Sequence, residues 1–442
     1  MKLPDSVSTC IRRLEEAGFE AYAVGGCVRD SLLGLVPNDY DMCTSAEPQQ
    51  ICRVFSDCSL VHNGEKHGTI GVVMDGVLYE ITTFRKEGGY RDSRHPDWVQ
   101  FVPTVQEDLG RRDFTVNAMA YSPVRGLIDP WGGRQDLEHG ILRAVGDPEV
   151  RFQEDALRIL RGVRFSVRFH LTPDPATEQA MTDCGSLMAN LAGERIFDEL
   201  CKLLPLVTAL DLLRFAPVLT QALPELAPAV GFEQHTPYHR YDVFTHIAYV
   251  TDHVPPSLPL RWAALLHDSG KPATFRQDSE GRGHFKGHAA EGARIVNQVL
   301  ARLKAPVKLR DEVEFLISHP MIGWELTKRE LRRRMGKYGI QAVRDLIALQ
   351  IADYCSKGTG ARLEDSCYPA LQELLEEVLQ EDACFTLKDL KISGRDLMDA
   401  GFAPGPGMGR CLSWLLQQVQ DDCIPNSREA LLAAAKEEKN DF

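Results

Sequence analysis

The chain has 442 residues, 44% of them hydrophobic, a formal net charge of −13 and twelve cysteines. That length predicts more than one domain. No apolar run reaches the roughly 18 residues a membrane span needs, and the polar start MKLPDSVSTCIRRLEEAG lacks the apolar core of an export signal. The cysteines stand singly, without CxxC pairs, which predicts reduced thiols and a cytoplasmic protein. The acidic balance weighs against nucleic-acid binding unless basic residues cluster locally.

Residues 7–17 and 49–55 carry helical periodicity, and TIGVVMDG, VLYEITTFR and VQFV read as strands. Together they predict a small α/β head. Near its start lies AVGGCVRDSLLGLVPNDYDM, residues 23–42: an apolar run, the turn Gly25-Gly26, the pair Arg29-Asp30, then Asp39 and Asp41. Aspartates two apart on a strand point to one side, roughly 7 Å apart. Behind a glycine turn that lets phosphate approach, they suit a divalent metal holding a nucleoside triphosphate. The plain alternative is a pair of solvated loop acids. Glu80, on a neighbouring predicted strand, is either a third carboxylate near the metals or an outward-facing strand acid.

Further on comes RRDFTVNAM, residues 111–119. Arg112 can fork onto phosphate oxygens, and Asp113 can accept from ribose hydroxyls. Asn117, one helical turn later, can also bond the sugar; Asp113 can equally be a helix cap. Asp129-Pro130-Trp131-Gly132-Gly133 reads as a structural or hinge turn. From about residue 150 the pattern turns helical and stays so. Asp155 and Arg158, three apart on the expected helix, share a face. An aspartate that accepts from an amine beside an arginine that donates fits cytosine and adenine, and rejects uracil and guanine. A surface ion pair of a few tenths of a kcal/mol is the competing reading.

Two basic stretches offset the acidic total: Arg151, Arg158, Arg161, Arg164 and Arg168, then Lys328, Arg329, Arg332, Arg333, Arg334 and Lys337. Each is either a polyanion contact or a solvated helical face. Between them lie His246, His267-Asp268, His288, His319 and Asp353, with Lys271 following in LLHDSGKP. Imidazoles with carboxylates suit a divalent transition metal. Near the end, glycines at 405, 407 and 409 bracket two prolines before a helix, either a phosphate-holding N-terminus or a tight turn.

GGxxRD with DxD, RRDFTxNAM, DPxGGxxDL, EDxxR and the ERIxxEL of residues 194–200 occur in this order. They resemble the tRNA nucleotidyltransferase (CCA-adding) and bacterial poly(A) polymerase superfamily, over residues 20 to 432. The resemblance implies an α+β fold: a nucleotidyltransferase head (1–145), a helical neck that reads the base (146–215), an HD metal-binding helical domain (216–360) and a helical RNA-binding tail (361–442). It implies Mg²⁺ on Asp39 and Asp41, with Glu80 catalytic. Gly25, Gly26, Arg29, Arg112, Asp113, Asn117, Asp155, Arg158 and Arg161 are implied to bind nucleotide. FRxExxYxDxRxP, residues 84–96, resembles the flexible loop that in the family helps switch the pocket from CTP to ATP. The middle region resembles an HD phosphohydrolase domain, implying one metal on His246, His267, Asp268 and Asp353, with His288 and His319 completing a second site. The implied partners are tRNA, CTP and ATP, and no membrane. A poly(A) polymerase, a hydrolase whose head only binds RNA, and a non-catalytic RNA-binding protein are the alternatives.

Overall fold

The computed structural model describes residues 1–88, 98–319, 323, 327–381 and 384–438. Most of the 84–96 loop therefore lies outside the described residues. The chain divides into two compact units, Met1–Ala227 with Val299–Ala305, and Pro228–Gln298 with Pro306–Phe442. No described helix is long and apolar enough to cross a membrane.

The first unit is α+β, as expected. Helix α1 (Asp5–Glu16) buries Val7, Cys10, Ile11 and Leu14, the spacing of one helical face. Strand β1 (Ala21–Val24) is wholly buried and runs into α2 (Gly26–Leu32). Then follow β2 (Met42–Thr44), α3 (Pro48–Val54), β3 (Ser59–Val61), β4 (Thr69–Met74) and β5 (Val77–Thr83). Asp75 and Gly76 turn β4 into β5 with φ of 52° and 78°; two positive φ values suit the twist of a tight hairpin. Strands β6 (Arg85–Gly88) and β7 (Trp98–Phe101) pair apart from the main sheet. After α4 (Val105–Leu109) come β8 (Ala120–Ser122) and β9 (Gly126–Ile128). They complete a seven-stranded sheet of order β3-β4-β5-β2-β1-β8-β9.

One parallel pairing in that sheet matters most. β2 and β5 run parallel with Met42 opposite Ile81. The preceding residues, Asp41 and Glu80, are thereby set side by side.

Next come α5 (Gly133–Glu138), β10 (Ile141–Leu142), α6 (Pro148–Glu154), α7 (Leu157–Phe169) and β11 (Thr172–Pro173). Helices α8 (Pro175–Asp183), α9 (Gly193–Leu203), α10 (Ala209–Arg214) and α11 (Ala216–Ala222) follow. Helix α7 packs on α9. Between them the buried Arg164 Nε donates to Glu199 Oε2 at 2.6 Å.

The second unit is built from α12 (Val243–His253), α13 (Leu258–Leu266), α14 (Lys271–Thr274), the short strands β12 (Arg276–Gln277) and β13 (Gly283–His284), α15 (His288–Arg302) up to Gln298, and α16 (Val307–Ser318). It continues with α17 (Lys328–Tyr338), α18 (Ile340–Cys355), α19 (Tyr368–Gln380), α20 (Gly394–Asp399), α21 (Pro406–Gln420) and α22 (Arg428–Glu437). Leu331, Met335, Val343, Ile347, Leu371 and Leu375 form the core shared by α17, α18 and α19.

Helix α17 carries the second basic stretch, and most of its cations are matched by acids. Lys328 Nζ lies 2.6 Å from Glu381, and Arg332 lies 2.6 Å from Glu381 and 2.7 Å from Asp422. Arg329 and Arg333 both hold Asp421, at 2.7 and 3.1 Å. Arg334 pairs with Glu330. Arg332 is buried. The stretch fastens α17 to the segments after α19 and α21.

Candidate active site

Asp39, Asp41 and Glu80 line one cavity of 470 Å³, with Tyr40, Val77 and Leu78. The carboxylates converge because of the sheet. Val24 N–H donates to the Asp41 carbonyl at 3.0 Å, extending the β1–β2 ladder to the aspartates. The parallel register then brings Glu80 alongside. All three side chains are exposed to solvent in the cavity. Crowding by protein atoms, and then the charge of Asp39, push the Asp41 carboxyl above its usual range; Glu80 adds to this and Arg112 opposes it. Three acids lining one cavity are oxygen donors of the kind a divalent cation takes.

Arg112 is the cation that opposes the upward shift of Asp41. Its guanidinium lies against Gly25, where a side-chain Cβ would fall 2.5 Å from Nη1. Gly25 also sits at φ 77°, which only glycine adopts freely. Arg112 Nε is buried without a hydrogen-bond partner, and Nη2 lies 3.8 Å from Asp108 Oδ2. Gly26 begins α2 beside it.

The remaining residues of the two sequence motifs form a buried chain of hydrogen bonds. Arg161 donates to Asp113 Oδ2 through Nε at 2.8 Å and Nη2 at 2.6 Å. Asp113 Oδ1 accepts from Asn117 Nδ2 at 3.1 Å. Asn117 Oδ1 accepts from Arg29, which also holds Asp30 at 2.6 Å and lies 4.2 Å from the Phe169 ring centroid. Burial opposes ionisation of Asp113, but Arg161, the Asn117 amide and Arg158 keep its carboxyl below the usual range. Arg29, Asp113, Asn117 and Arg161 are thus engaged with one another, and Asp113 also caps the Phe114 amide at 2.9 Å.

The expected single helix bearing Asp155 and Arg158 is two helices. Asp155 ends α6 with φ −149° and ψ 102°. Its carboxylate accepts from Leu157 N–H at 3.0 Å, and this local bond favours a joint over a continuing helix. Arg195 of α9 grips the same carboxylate with both guanidinium nitrogens, at 3.1 and 2.8 Å. Arg158 donates to Glu154 Oε2 and to the Arg111 carbonyl, each at 3.0 Å. Arg158 is therefore oriented by Glu154 and Asp155 by the ERIxxEL helix, whose Glu199 also holds Arg164. The sequence pointed to helix stabilisation for that motif; its grip on Asp155 goes further. Asp129 accepts from the Gly133 and Arg134 amides at 2.7 and 2.9 Å, so the DPWGG turn is structural.

A separate cavity of 480 Å³ lies in the second unit, lined by His267, Asp268, Lys271, His288 and Asp353. His246, behind it, places Nε2 3.4 Å from His267 Nε2, 3.4 Å from Asp268 Oδ2 and 3.0 Å from Asp353 Oδ1. His267 Nε2 lies 3.3 Å from Asp268 Oδ2. Both rings place Nδ1 on a backbone carbonyl, Ser356 at 3.1 Å and Ala264 at 2.7 Å, which turns the Nε2 lone pairs toward the carboxylates. His319 is not brought to this cavity. Its Nδ1 contacts the Phe315 carbonyl at 2.9 Å, and its ring packs on Phe315 and Tyr338.

A poly A polymerase head domain model matches residues 21–143, and one for tRNA nucleotidyltransferase domain 2 matches residues 294–435. The chain is 32% identical to the CCA-adding enzyme of Lacticaseibacillus paracasei over 98% of this chain and 96% of that protein. This chain belongs to the CCA-adding enzyme family. The CCA-adding enzyme of Levilactobacillus brevis is 35% identical, over 96% of this chain and 95% of its own. The crystal structure of the Bacillus stearothermophilus CCA-adding enzyme with CTP superposes at a TM-score of 0.70, with 28% identity, over 100% of this chain and 99% of that one. A Thermotoga maritima CCA-adding enzyme complexed with tRNA shares the fold, at a TM-score of 0.58 and 20% identity, over 97% of this chain and 94% of that one. As a CCA-adding family member, the chain is a nucleotidyltransferase.

Proposed function

We propose that this chain adds C, C and A to the 3′ end of tRNA from CTP and ATP, without a nucleic-acid template. The observation that carries this is the cavity lined by Asp39, Asp41 and Glu80, with the charge of Arg112 acting on Asp41. Those carboxylates would hold Mg²⁺, which supplies the positive charge that acidifies an attacking hydroxyl and offsets the leaving pyrophosphate. Arg112 binds triphosphate oxygens, and Gly25 keeps the backbone low enough for them to approach. Asp155 accepts from the exocyclic amine of cytosine or adenine, and Arg158 donates to the neighbouring ring acceptor. Arg29, Asp113, Asn117 and Arg161 hold the floor beneath the nucleotide. In this reading residues 1–145 are the head, 146–215 the neck, 216–360 a metal-binding domain and 361–442 an RNA-binding tail, and the chain works in the cytoplasm.

The test is extension of a tRNA ending just before CCA, with each nucleotide alone and in pairs. Addition of three residues with CTP plus ATP, and then a stop, is the expected result. Long A tracts from ATP alone would make the chain a poly(A) polymerase.

A second reading attaches to the other cavity. Nε2 of His246, Nε2 of His267 and Oδ2 of Asp268 lie 3.3–3.4 Å apart, close to the edge of a tetrahedron with ligands about 2.1 Å from its centre. The donor set fits a divalent transition metal, with Asp353 as a further ligand and a phosphodiester or phosphate as the substrate. His267→Ala is expected to remove bound Mn or Ni, read by elemental analysis of metal-loaded protein, and to leave nucleotide addition unchanged. Equal metal content in the variant would sink the assignment.

A further inference from the structure

We infer that Trp98 and Trp131 form a stacking platform for an unpaired base of the RNA's 3′ end, beside the nucleotide-reading residues. The inference rests on the nucleotidyltransferase reading and adds to it a site for the acceptor strand. Both indoles line one cavity of 440 Å³ with Lys86, Arg111, Arg151 and Glu154. They are 50% and 39% exposed, large for tryptophan.

Each ring is seated on a glycine. Trp98 lies across the β6–β7 ladder from Gly88, where a Cβ would fall 2.3 Å from Trp98 Cζ2. Trp131 lies over Gly110, where a Cβ would be 3.4 Å from Trp131 Cζ2. The backbone thus supports one side of each indole.

The charges around the rings select the ligand. Lys86 lies 2.5 Å from Glu107, Arg111 3.0 Å from Asp108, and Arg151 2.5 Å from Glu154. With each cation matched by an acid, the cavity has little to attract a phosphate. Two aromatic planes in a neutralised rim suit a flat, uncharged nucleobase, and stacking on them tolerates any base.

Position names the source of that base. Glu154 bridges Arg151 in this wall and Arg158 of the reader, and the Arg111 carbonyl accepts from Arg158 Nη2 at 3.0 Å. A base on the platform is therefore next to the incoming nucleotide, where the unpaired end of the acceptor strand has to lie while it is extended.

The experiment is steady-state CMP addition to tRNA lacking CCA by full-length Trp98→Ala, Trp131→Ala and the corresponding Phe variants. Each Ala change is expected to raise KM for tRNA about 10-fold, the scale of one lost base–aromatic stack. KM for CTP should stay within about twofold of the parent protein, and the Phe variants should recover most of the loss. Quenching of tryptophan emission by a tRNA with an unpaired 3′ end, but not by a blunt duplex stem, is the companion readout. Unchanged KM for tRNA in both Ala variants would overturn the platform, as would a rise in KM for CTP or ATP alone. Failure of the parent protein to add CMP would instead overturn the nucleotidyltransferase reading.

Discussion

Asp41→Ala is expected to abolish nucleotide addition and leave the chain folded. Metal-borne charge stabilisation at such a site is worth several kcal/mol; at about 1.36 kcal/mol per decade, that is a loss of about 10³-fold or more. Asp41 is exposed in its cavity and makes its sheet bond through the carbonyl, which the substitution keeps. The fold should even gain slightly, because Asp39 and Glu80 lose a like-charged neighbour. Single-turnover CMP addition, with circular dichroism melting as the control, checks both parts. Activity within tenfold of the parent protein would remove Asp41 from the catalytic set.

Glu199→Ala is expected to destabilise the first unit by about 3–5 kcal/mol, the cost of leaving a buried charge without its partner. Arg164 and Glu199 are 8% and 5% exposed in their side chains and 2.6 Å apart, so water cannot replace the lost carboxylate. The double variant Arg164→Met, Glu199→Leu should recover most of that loss, since apolar replacement of a whole buried pair is often neutral. Urea unfolding of the three proteins separates these outcomes. A single-variant loss below about 1 kcal/mol would mean that the pair contributes little to the packing of α7 on α9.

The DxD pair stood out in the sequence by its spacing, although Asp39 and Asp41 lie just before β2 rather than on it. Asp39 and Asp41 needed only their own spacing, and Glu80 needed one further strand. The parallel register of β2 and β5 sets Glu80 beside Asp41. The Asp155–Arg158 helix was misjudged because helical spacing says nothing about competing side-chain bonds. Asp155 uses its carboxylate on the Leu157 amide, and the helix breaks there. Arg195 was credited only with helix stabilisation, since its partner lies 40 residues away and meets it through packing. The ion pairs of the basic run on α17 were hidden for a similar reason: its acids come from positions 381, 421 and 422. His319 stood in the expected order with the other histidines, yet its helix end delivers it to Phe315 and Tyr338.

The pairing on α17 also bears on how the protein behaves among bystander RNA. Opposite charges 2.6–3.1 Å apart cancel to a short-range dipole, and at a Debye length of about 8 Å in physiological salt that helix is electrically quiet. With a formal net charge of −13 over the whole chain, long-range attraction to polyanions is weak. Binding of a polyanion by this face then depends on contacts made at close quarters rather than on long-range attraction.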